Sequence, residues 1–376
     1  MINVFQPTVG KDELAAIQYA FSTNWLGRGP MCELLESALA AHFGVPEGEV
    51  LLFNSCTSAM YVMMQALGIG PGDNVLLPSI HFIGAYNAVV DCGATPVLMD
   101  VDPHTLNVYP YGFRRFGDDE KDRAIFPLHY GGHLAPTHKI MPHQEALLLI
   151  EDAACAPCSK LFEVSAGTLG DGGVWSFDAM KPMTMGDGGA LWLRDPDARK
   201  MARALRYLGL KPGETSGAEQ AGERENWWEY EPVTTSGRYI SNDIAAAIGL
   251  EQLEKLPSFI ERRSQIWERY DYFFQGFNLI PRVRTPPTPP GKTTSSYAFY
   301  WIQLEERDAL AHYLFERDIY TTFRYWPLHR ACKMGKDADF PGAAEAADTT
   351  LLLPCHQGLS EDDIGIVIQA IKEFFD

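Results

Sequence analysis

Basic residues are scarce relative to acidic ones in this sequence. Its 376 residues include 31 Lys and Arg against 49 Asp and Glu, which gives a formal net charge of −18. A chain this acidic repels polyanions, which argues against general binding to nucleic acid or to an anionic membrane surface. A local basic pocket for a small phosphorylated ligand is still compatible with this overall charge.

Long apolar runs and a secretion signal are also lacking. No stretch approaches the roughly 20 apolar residues that a transmembrane helix requires. The segment Met1–Pro7 has neither the basic start nor the apolar core of a signal peptide. The seven cysteines are odd in number and scattered, which favours a reducing compartment over a disulfide framework. We therefore expect a cytoplasmic protein.

Cysteines at metal-site spacing occur once. Cys155 and Cys158 form a C-x-x-C pair, a pattern found in metal and redox sites. No second pair follows at zinc-ribbon spacing, and no histidines cluster near it, so we expect no metal site.

The chain has the composition of a globular protein, with 46% hydrophobic and 21% charged residues. Between residues 48 and 195, short apolar runs alternate with helical stretches such as Ser55–Leu67 and His81–Cys92. Near-continuous apolar strands separated by helices predict an α/β fold with a mostly parallel sheet covered by helices on both faces. The predicted strands are Val50–Phe53, Asn74–Leu77, Thr95–Met99, Ala124–Pro127, Ala146–Ile150, Gly173–Phe177 and Ala190–Leu193.

Further elements are predicted on either side of this region. The first helix carries Leu14, Ile17 and Phe21 on one face. A strand over Tyr297–Leu304 is predicted near the C-terminus. The predicted helices are 11–24, 31–43, Asn242–Leu256, Ser258–Phe277, Asp308–Arg317 and Glu361–Phe375.

A polar segment over 212–238, with adjacent Trp227 and Trp228, predicts an excursion or lid outside the regular elements. We expect a large domain over 1–255, which includes this excursion and the N-terminal helices. A smaller C-terminal α/β domain is expected over 256–376.

One lysine stands in surroundings that favour chemistry. Lys181 follows a predicted strand and precedes a turn with Gly186, Gly188 and Gly189. A poorly solvated amine is expected to have a lowered pKa and to be nucleophilic, which suits a Schiff base to an aldehyde cofactor such as pyridoxal phosphate. The ring nitrogen of that cofactor needs an acidic partner, and Asp152, at the end of a predicted buried strand, is the candidate.

A second candidate feature lies where the first predicted strand meets a helix. Ser55, Cys56 and Thr57 open that helix, where free N–H groups and the helix dipole attract an anion and hydroxyls add donors. These residues predict either a phosphate-binding cup or an ordinary capped helix start, and the segment alone supports both readings.

Together these segments resemble the DegT/DnrJ/EryC1/StrS family of pyridoxal-phosphate-dependent aminotransferases, which act on nucleotide-linked keto-sugars. The resemblance implies a fold-type I α/β architecture, with seven strands in the large sheet and the cofactor at their carboxyl ends. It favours the cup over the capped start. It rests on blocks in a shared order: Asn54–Ala59, Gly93–Val97, Pro127–Gly132, Glu151–Ala154, Ser176–Gly189, Asp243–Gly249 and Trp326–His329.

The resemblance also implies roles for residues around the cofactor. Lys181 would carry the cofactor and move a proton, while Glu151 would be structural. The alternative for Phe82 is a place in the core. The remaining implied contacts are Ser55, Cys56, Thr57 and Ser176 at the phosphate, Asp152 at the ring nitrogen, and Ala154 and Phe82 on the two ring faces.

Two positions depart from the family pattern. Cys155 stands where the family has His or Gln, which helps to hold the ring hydroxyl, and a thiol is a weaker hydrogen-bonding group. Arg238 stands where the family commonly has Asn or Lys, which reaches the phosphate of the neighbouring subunit. Arg238 could do the same or bind a nucleotide diphosphate. The resemblance thus implies a homodimer with active sites built from both chains.

Substrate recognition is assigned to fewer residues. Trp25 and Arg28 resemble the N-terminal loop that lines the sugar site, and Arg324 and His329 could meet phosphates or a glutamate carboxylate. The predicted reaction transfers an amino group from L-glutamate to a nucleoside-diphosphate keto-deoxysugar, with a thymidine-linked 4-keto-6-deoxyhexose expected. A 3-keto-sugar and a keto-cyclitol are the alternative acceptors. A regulatory protein that retains the fold is the non-enzymatic alternative.

Overall fold

The computed structural model describes residues 1–109, 120–140, 147–211, 226, 228–277, 282–289 and 291–376, and its central feature is a seven-stranded sheet. Its strands are Val50–Phe53 (β1), Asn74–Pro78 (β2), Thr95–Met99 (β3), Asp122–Ile125 (β4), Leu148–Asp152 (β5), Gly172–Ser176 (β8) and Gly189–Leu193 (β9). All seven predicted strands are confirmed, with ends that shift by two residues at most. The strand order is β1-β9-β8-β5-β4-β2-β3, with β9 antiparallel to both neighbours and the other strands mutually parallel. A short hairpin of Lys160–Leu161 (β6) and Val164–Ser165 (β7) lies outside this sheet.

Helices cover both faces of the sheet, as the near-continuous apolar strands predict. Leu35 and Leu39 belong to the apolar cluster on one face, whereas Met60 and Met63 belong to the cluster on the other. The first face is covered by Lys11–Ser22 (α1), Pro30–Phe43 (α2) and the N-terminal half of Asp243–Gly276 (α7). The second is covered by Cys56–Ala66 (α3), Ile83–Asp91 (α4) and Pro196–Arg206 (α6), and a short helix, Thr137–Ile140 (α5), precedes β5.

The helix α7 corrects the sequence prediction of two helices separated at Pro257. It is continuous over 34 residues, with Pro257 inside it. Proline removes one backbone donor and is unfavourable in a helix interior. Here, however, Leu256 and Phe259 are buried on either side of the exposed Pro257, so packing on both halves keeps the helix intact. The predicted boundary between residues 255 and 256 therefore falls inside a helix.

A smaller C-terminal unit packs against the carboxyl edge of the sheet. Its two strands, Tyr300–Gln303 (β10) and Thr350–Leu353 (β11), pair antiparallel. The N-terminal segment also joins this unit, because the Ile2 N–H donates to the Asp318 carbonyl and the Val4 carbonyl accepts from the Cys355 N–H. The helices of the unit are Arg307–Phe315 (α8), Leu328–Ala331 (α9), Pro341–Thr349 (α10) and Glu361–Phe375 (α11).

One face of α1 is apolar and uncovered. Leu14 and Phe21, predicted on one face, are 64% and 56% exposed, whereas Glu13 and Ala20 are the buried residues of this helix. Leu34 of α2 is exposed as well. No helix in the described part of the chain is long and apolar enough to cross a membrane. Residues 212–225 and Trp227, in the predicted excursion, lie outside the described residues.

Candidate active site

The site forms where parallel strands end at one edge of the sheet. The carboxyl ends of β1, β5 and β8 lead to Ser55, Asp152 and Ser176, in agreement with the usual position of ligand sites in open α/β sheets. The antiparallel β9 begins at this same edge with Gly189, which pairs with Phe53 on one side and with Ser176 on the other. Segments far apart in sequence thus converge because of strand order.

Lys181 lies in the loop between β8 and β9, and its amine points to two polar groups. Its Nζ is 3.2 Å from the Tyr325 hydroxyl and 3.3 Å from the Cys155 Sγ. The sequence prediction of a lowered pKa was wrong. Burial acts to lower the pKa of Lys181, but the electrostatic influence of Cys155, Tyr325 and the Asp152 carboxylate outweighs it, and the pKa is raised.

The loop that carries Lys181 is fastened to α7. The Gln252 side chain accepts from the Thr184 N–H at 3.3 Å and donates to the Thr8 carbonyl and to Glu13 at 2.8 Å each. Thr184 also donates to the Phe177 carbonyl. These bonds anchor the loop on both sides of the lysine, so the amine is held at the sheet edge.

Asp152 is buried with one oxygen satisfied and one available. Its Oδ1 accepts from the Ala154 N–H at 2.9 Å, whereas Oδ2 has no hydrogen-bond partner among the described residues. The nearest cationic candidate, His81 Nδ1, is 3.8 Å away, which is too long for a hydrogen bond. An unpaired buried carboxylate oxygen is costly. A bound N–H donor would remove that cost, as the protonated ring nitrogen of a pyridine does.

Glu151, next to it in the chain, is fully engaged within the protein. Its Oε2 is 2.9 Å from His129 Nε2 and accepts from the Gly167 N–H, and its Oε1 accepts from the Gly170 N–H. The Ala135 N–H donates to His129 Nδ1, so Nε2 carries the proton and donates to Glu151. This arrangement agrees with the structural role predicted for Glu151.

The N-terminus of α3 lies at this edge, where the phosphate-binding cup is predicted. Ser55 is the N-cap, and its Oγ accepts from the Ser58 N–H at 3.1 Å. The N–H groups of Cys56 and Thr57 come before the hydrogen-bond ladder of the helix and can bind an anion. A side chain at Gly189 would bring a Cβ within 2.4 Å of the Cys56 nitrogen, so glycine is required for this close approach.

The predicted ring-contacting residues lie near the same edge. Phe82 caps α4, and a Cβ at Gly84 would touch both the Phe82 ring and Thr57 Oγ1. Phe82 also approaches Tyr325, with ring centroids 5.8 Å apart, and Ala154 is buried beside Asp152. Phe82 is only partly buried, which favours the ring-contact prediction over a place in the core.

Tyr325 is a site residue that sequence reasoning missed. Its hydroxyl lies 3.7 Å from Cys155 Sγ in addition to its contact with Lys181. It comes from the C-terminal unit, 144 residues after Lys181. The sequence contains no spacing signal for this contact. The only indication in the sequence was its place between Arg324 and the block Trp326–His329.

The two predicted substrate residues next to Tyr325 in sequence, Arg324 and His329, differ in their surroundings. Arg324 is partly exposed, stacks its guanidinium 5.1 Å from the Phe5 ring and has no carboxylate partner among the described residues. It lies 2.9 Å from the sulfur of Met180, the residue before Lys181, so its charge faces the site. His329 is buried, with Nδ1 2.7 Å from Ser79 Oγ and Nε2 3.0 Å from Asp337. Both ring nitrogens are used, so the substrate role predicted for His329 is not supported.

The N-terminal loop is pinned to the start of α7. Asp243 accepts from the N–H groups of Gly29, Met31 and Cys32. Trp25, 56% exposed, donates to the Arg28 carbonyl. The Arg28 guanidinium pairs with Glu36 at 2.9 Å and with Glu33 at 3.4 Å, so its charge is balanced within the loop and α2. Trp25 is therefore the more available of the two predicted sugar-site residues.

Arg238 is exposed next to the phosphate cup. Its neighbour Tyr239 accepts from the Asn54 N–H, and its guanidinium lies 5.6 Å from the Tyr207 ring. No ion pair to a described carboxylate holds it. The Arg238 guanidinium is therefore available to bind a phosphate.

The C-x-x-C pair is split between two environments. Cys155 lies beside Lys181, whereas Cys158 Sγ lies 3.9 Å from His42 Nε2. All seven cysteines are free thiols.

The fold and this constellation define a fold-type I, pyridoxal-phosphate-dependent aminotransferase. More narrowly, the chain belongs to the DegT/DnrJ/EryC1/StrS aminotransferase family, which it matches over residues 7–372. The site residues fit the cofactor: the free Asp152 oxygen suits its ring nitrogen, the α3 N-terminus suits its phosphate, and Lys181 suits its aldehyde.

Several known proteins are similar to the chain over nearly its whole length. The dTDP-4-dehydro-2,3,6-trideoxy-D-glucose 4-aminotransferase of Saccharopolyspora spinosa is 42% identical, with 99% of this chain and 96% of that protein covered. The crystal structure of the aminotransferase TlmJ from Streptoalloteichus hindustanus is 44% identical, with a TM-score of 0.91 and coverage of 100% and 99%. GDP-perosamine synthase of Caulobacter vibrioides is 30% identical, with 99% and 98% covered. The chain is a sugar aminotransferase.

Proposed function

We propose that the enzyme transfers the amino group of L-glutamate to the C4 carbonyl of a thymidine-diphosphate-linked 4-keto-deoxyhexose. The observation that carries the proposal is the triad of the buried Asp152 oxygen, the Lys181 amine and the α3 cup at one sheet edge, in a chain similar to a dTDP-sugar 4-aminotransferase. The position of amination follows the name of that relative, which is 42% identical.

Particular residues would hold the cofactor. The N–H groups of Cys56 and Thr57 and the hydroxyls of Ser55 and Ser176 would bind its phosphate, and Asp152 would hold its ring nitrogen protonated. When bound, pyridoxal phosphate supplies an electron sink that stabilises negative charge at the carbon next to the amine.

The protein's own groups then do the remaining work. Lys181 Nζ removes and returns the proton at the reacting carbon as a general base and acid, since the loop anchored by Gln252 holds it at the sheet edge. The Asp152 carboxylate is shielded from water, and it would stabilise the positive charge of the protonated ring nitrogen beside it. Arg324, which has no carboxylate partner among the described residues, would bind the glutamate carboxylate or the sugar-linked phosphates.

We also propose that the enzyme is a homodimer with shared sites. The apolar faces of Leu14, Phe21 and Leu34 are exposed in one chain and would be covered by a second copy. Arg238 is exposed beside the cup and could reach the phosphate of the partner's site. Exposed Trp25 would line the sugar pocket. With seven free thiols, a reducing cytoplasmic location is proposed.

The test is a direct assay of the purified protein. It would be loaded with pyridoxal phosphate, given L-glutamate, and offered the 4-keto and 3-keto isomers of a thymidine-linked deoxyhexose and a keto-cyclitol. We expect the 4-keto sugar to be aminated, with mass spectrometry showing the amino product and NMR assigning the carbon. Preferred turnover of the 3-keto isomer or of the cyclitol would refute the acceptor. Absence of any amino transfer, together with no bound cofactor, would favour a regulatory protein.

A further inference from the structure

The hydroxyl of Tyr325 is placed between two groups of the site. It lies 3.2 Å from Lys181 Nζ and 3.7 Å from Cys155 Sγ, and the last two atoms are 3.3 Å apart. A thiol is a weak hydrogen-bond donor and acceptor. Tyr325 is therefore the stronger hydrogen-bonding partner of the lysine nitrogen in this triangle.

Packing from both units of the molecule holds the Tyr325 ring. Its centroid is 5.8 Å from that of Phe82 and 6.5 Å from that of Tyr130, and Phe299 packs 6.4 Å away on the side of the C-terminal unit. The Tyr130 hydroxyl also donates to the carbonyl of Arg324, the residue before Tyr325. A side chain fixed from several sides presents its hydroxyl at one position, as a preorganised group requires.

The surroundings keep this hydroxyl neutral. Burial raises the pKa of Tyr325 above its ordinary value, and the adjacent Lys181 charge does not overcome this effect. Tyr325 is thus a neutral O–H at physiological pH. The titratable and charged groups that face it from the packed elements are Cys155, Asp152, Lys181, Tyr130 and Arg324.

We infer that Tyr325 is a positioning residue that lowers the proton affinity of the Lys181 nitrogen in the cofactor-loaded enzyme. Its hydroxyl supplies the strong hydrogen bond that the thiol of Cys155 does not. The inference rests on the proposed attachment of the cofactor to Lys181. Bound pyridoxal phosphate would bring its phenolic oxygen, on the ring carbon next to its aldehyde, toward the Lys181 nitrogen, and the Tyr325 hydroxyl would be a donor available to that oxygen. Such a hydrogen bond would stabilise the negative charge of the phenolate and so would favour loss of the proton from the nitrogen.

The test is a spectroscopic titration of Tyr325→Phe, which keeps the ring and removes only the hydroxyl. The visible absorbance of the bound cofactor would be followed against pH in the loaded protein. We expect the midpoint for the Lys181 nitrogen to rise by about one pH unit, the size of a single charge-assisted hydrogen bond. The matched control is Tyr272→Phe, because Tyr272 is 74% exposed on α7 and should leave the midpoint unchanged. Circular dichroism and cofactor content would show that both variants are folded and loaded.

A second variant tests whether Tyr325 replaces a contact missing at position 155. Introducing Cys155→Gln into Tyr325→Phe supplies a strong hydrogen-bonding group beside the Lys181 nitrogen, and we expect the midpoint to return toward that of the unaltered protein. A Tyr325→Phe midpoint equal to that of the unaltered protein would overturn the inference. So would equal shifts in the two Phe variants, or no recovery in the double variant. Loss of cofactor attachment at Lys181 is a different result and would refute the proposed function first.

Discussion

The carboxylates of Glu151 and Asp152, consecutive at the end of β5, lie on opposite faces of the strand and have opposite hydrogen-bond status. Glu151 is satisfied by His129 and by two backbone N–H groups, whereas Asp152 keeps Oδ2 without a partner in the described part of the chain. Successive side chains alternate across a strand, so two identical functional groups can serve different ends. Glu151 is thus bonded within the protein, whereas one oxygen of Asp152 remains available to a ligand.

Asp152→Asn should keep the cofactor but lose most of the activity. The amide has the size of the carboxylate but cannot hold a proton on the ring nitrogen. We expect turnover to fall by roughly a thousandfold, equivalent to about 4 kcal/mol of transition-state stabilisation. Steady-state rates and cofactor content would be measured beside Asp91→Asn, an exposed control on α4. Near-normal turnover in Asp152→Asn would contradict the role assigned here.

Glu151→Gln should show the opposite pattern. The amide NH2 would face a backbone or imidazole donor in a buried position, which costs about 1–3 kcal/mol of folding stability. We expect a lower midpoint in denaturant unfolding, while folded protein retains most of its turnover. A catalytic defect as large as that of Asp152→Asn, without loss of stability, would show that Glu151 acts in the chemistry.

Lys181 should be the point of cofactor attachment. Borohydride reduces a carbon–nitrogen double bond to a stable amine, so reduction of the loaded protein should leave the cofactor on the peptide that contains Lys181. Lys181→Ala should lose the visible absorbance band, and Lys200→Ala, an exposed lysine of α6, should keep it. Recovery of the label on any other peptide would exclude the assignment.

Arg238 should act across the dimer. We expect Lys181→Ala and Arg238→Ala to be weakly active or inactive when purified separately. After mixing and exchange of subunits, a hybrid dimer contains one site with both native residues, so part of the activity should return. Native mass spectrometry would confirm the hybrids. If hybrids form and the mixture stays inactive, Arg238 does not serve the partner's site.

Acid should destabilise the fold through His133. This side chain is 6% exposed and stacks on Trp267, and burial lowers its pKa to about 4. The unfolded chain, with a histidine pKa near 6.5, binds the proton more readily, so stability is complete above about pH 6.5 and falls toward pH 4. The loss is about 3 kcal/mol at most.

The variant His133→Phe keeps an aromatic ring in this position and cannot take up the proton. We expect its thermal midpoint to fall less than that of the unaltered protein between about pH 7 and about pH 4.5. The control is the exposed His312 of α8, for which substitution should leave the pH dependence as it was. Identical slopes for His133→Phe and the unaltered protein would show that another group carries the acid sensitivity.

Much of the fold could be predicted because strands and helices here follow local patterns. The strand runs and the positions of Ser55, Asp152 and Lys181 were readable, since each follows or precedes an apolar run in sequence. The place of Tyr325 in the site could not be predicted, because its contact with Lys181 depends on how the C-terminal unit packs. The surroundings of His329 could not be predicted for a related reason, since sequence does not show that Ser79 and Asp337 lie against its two ring nitrogens.

Because α7 is continuous, it limits where the protein can be split into two separately expressed fragments. At 1.5 Å per residue the helix is roughly 50 Å long, and its two halves pack in different apolar clusters. A fragment that stops at residue 255 would lose Ile266 and Trp267, whose side chains are buried against the C-terminal unit. Complementation by two separately expressed halves therefore requires the cut to be placed elsewhere, such as at the exposed Phe162 in the β6–β7 turn.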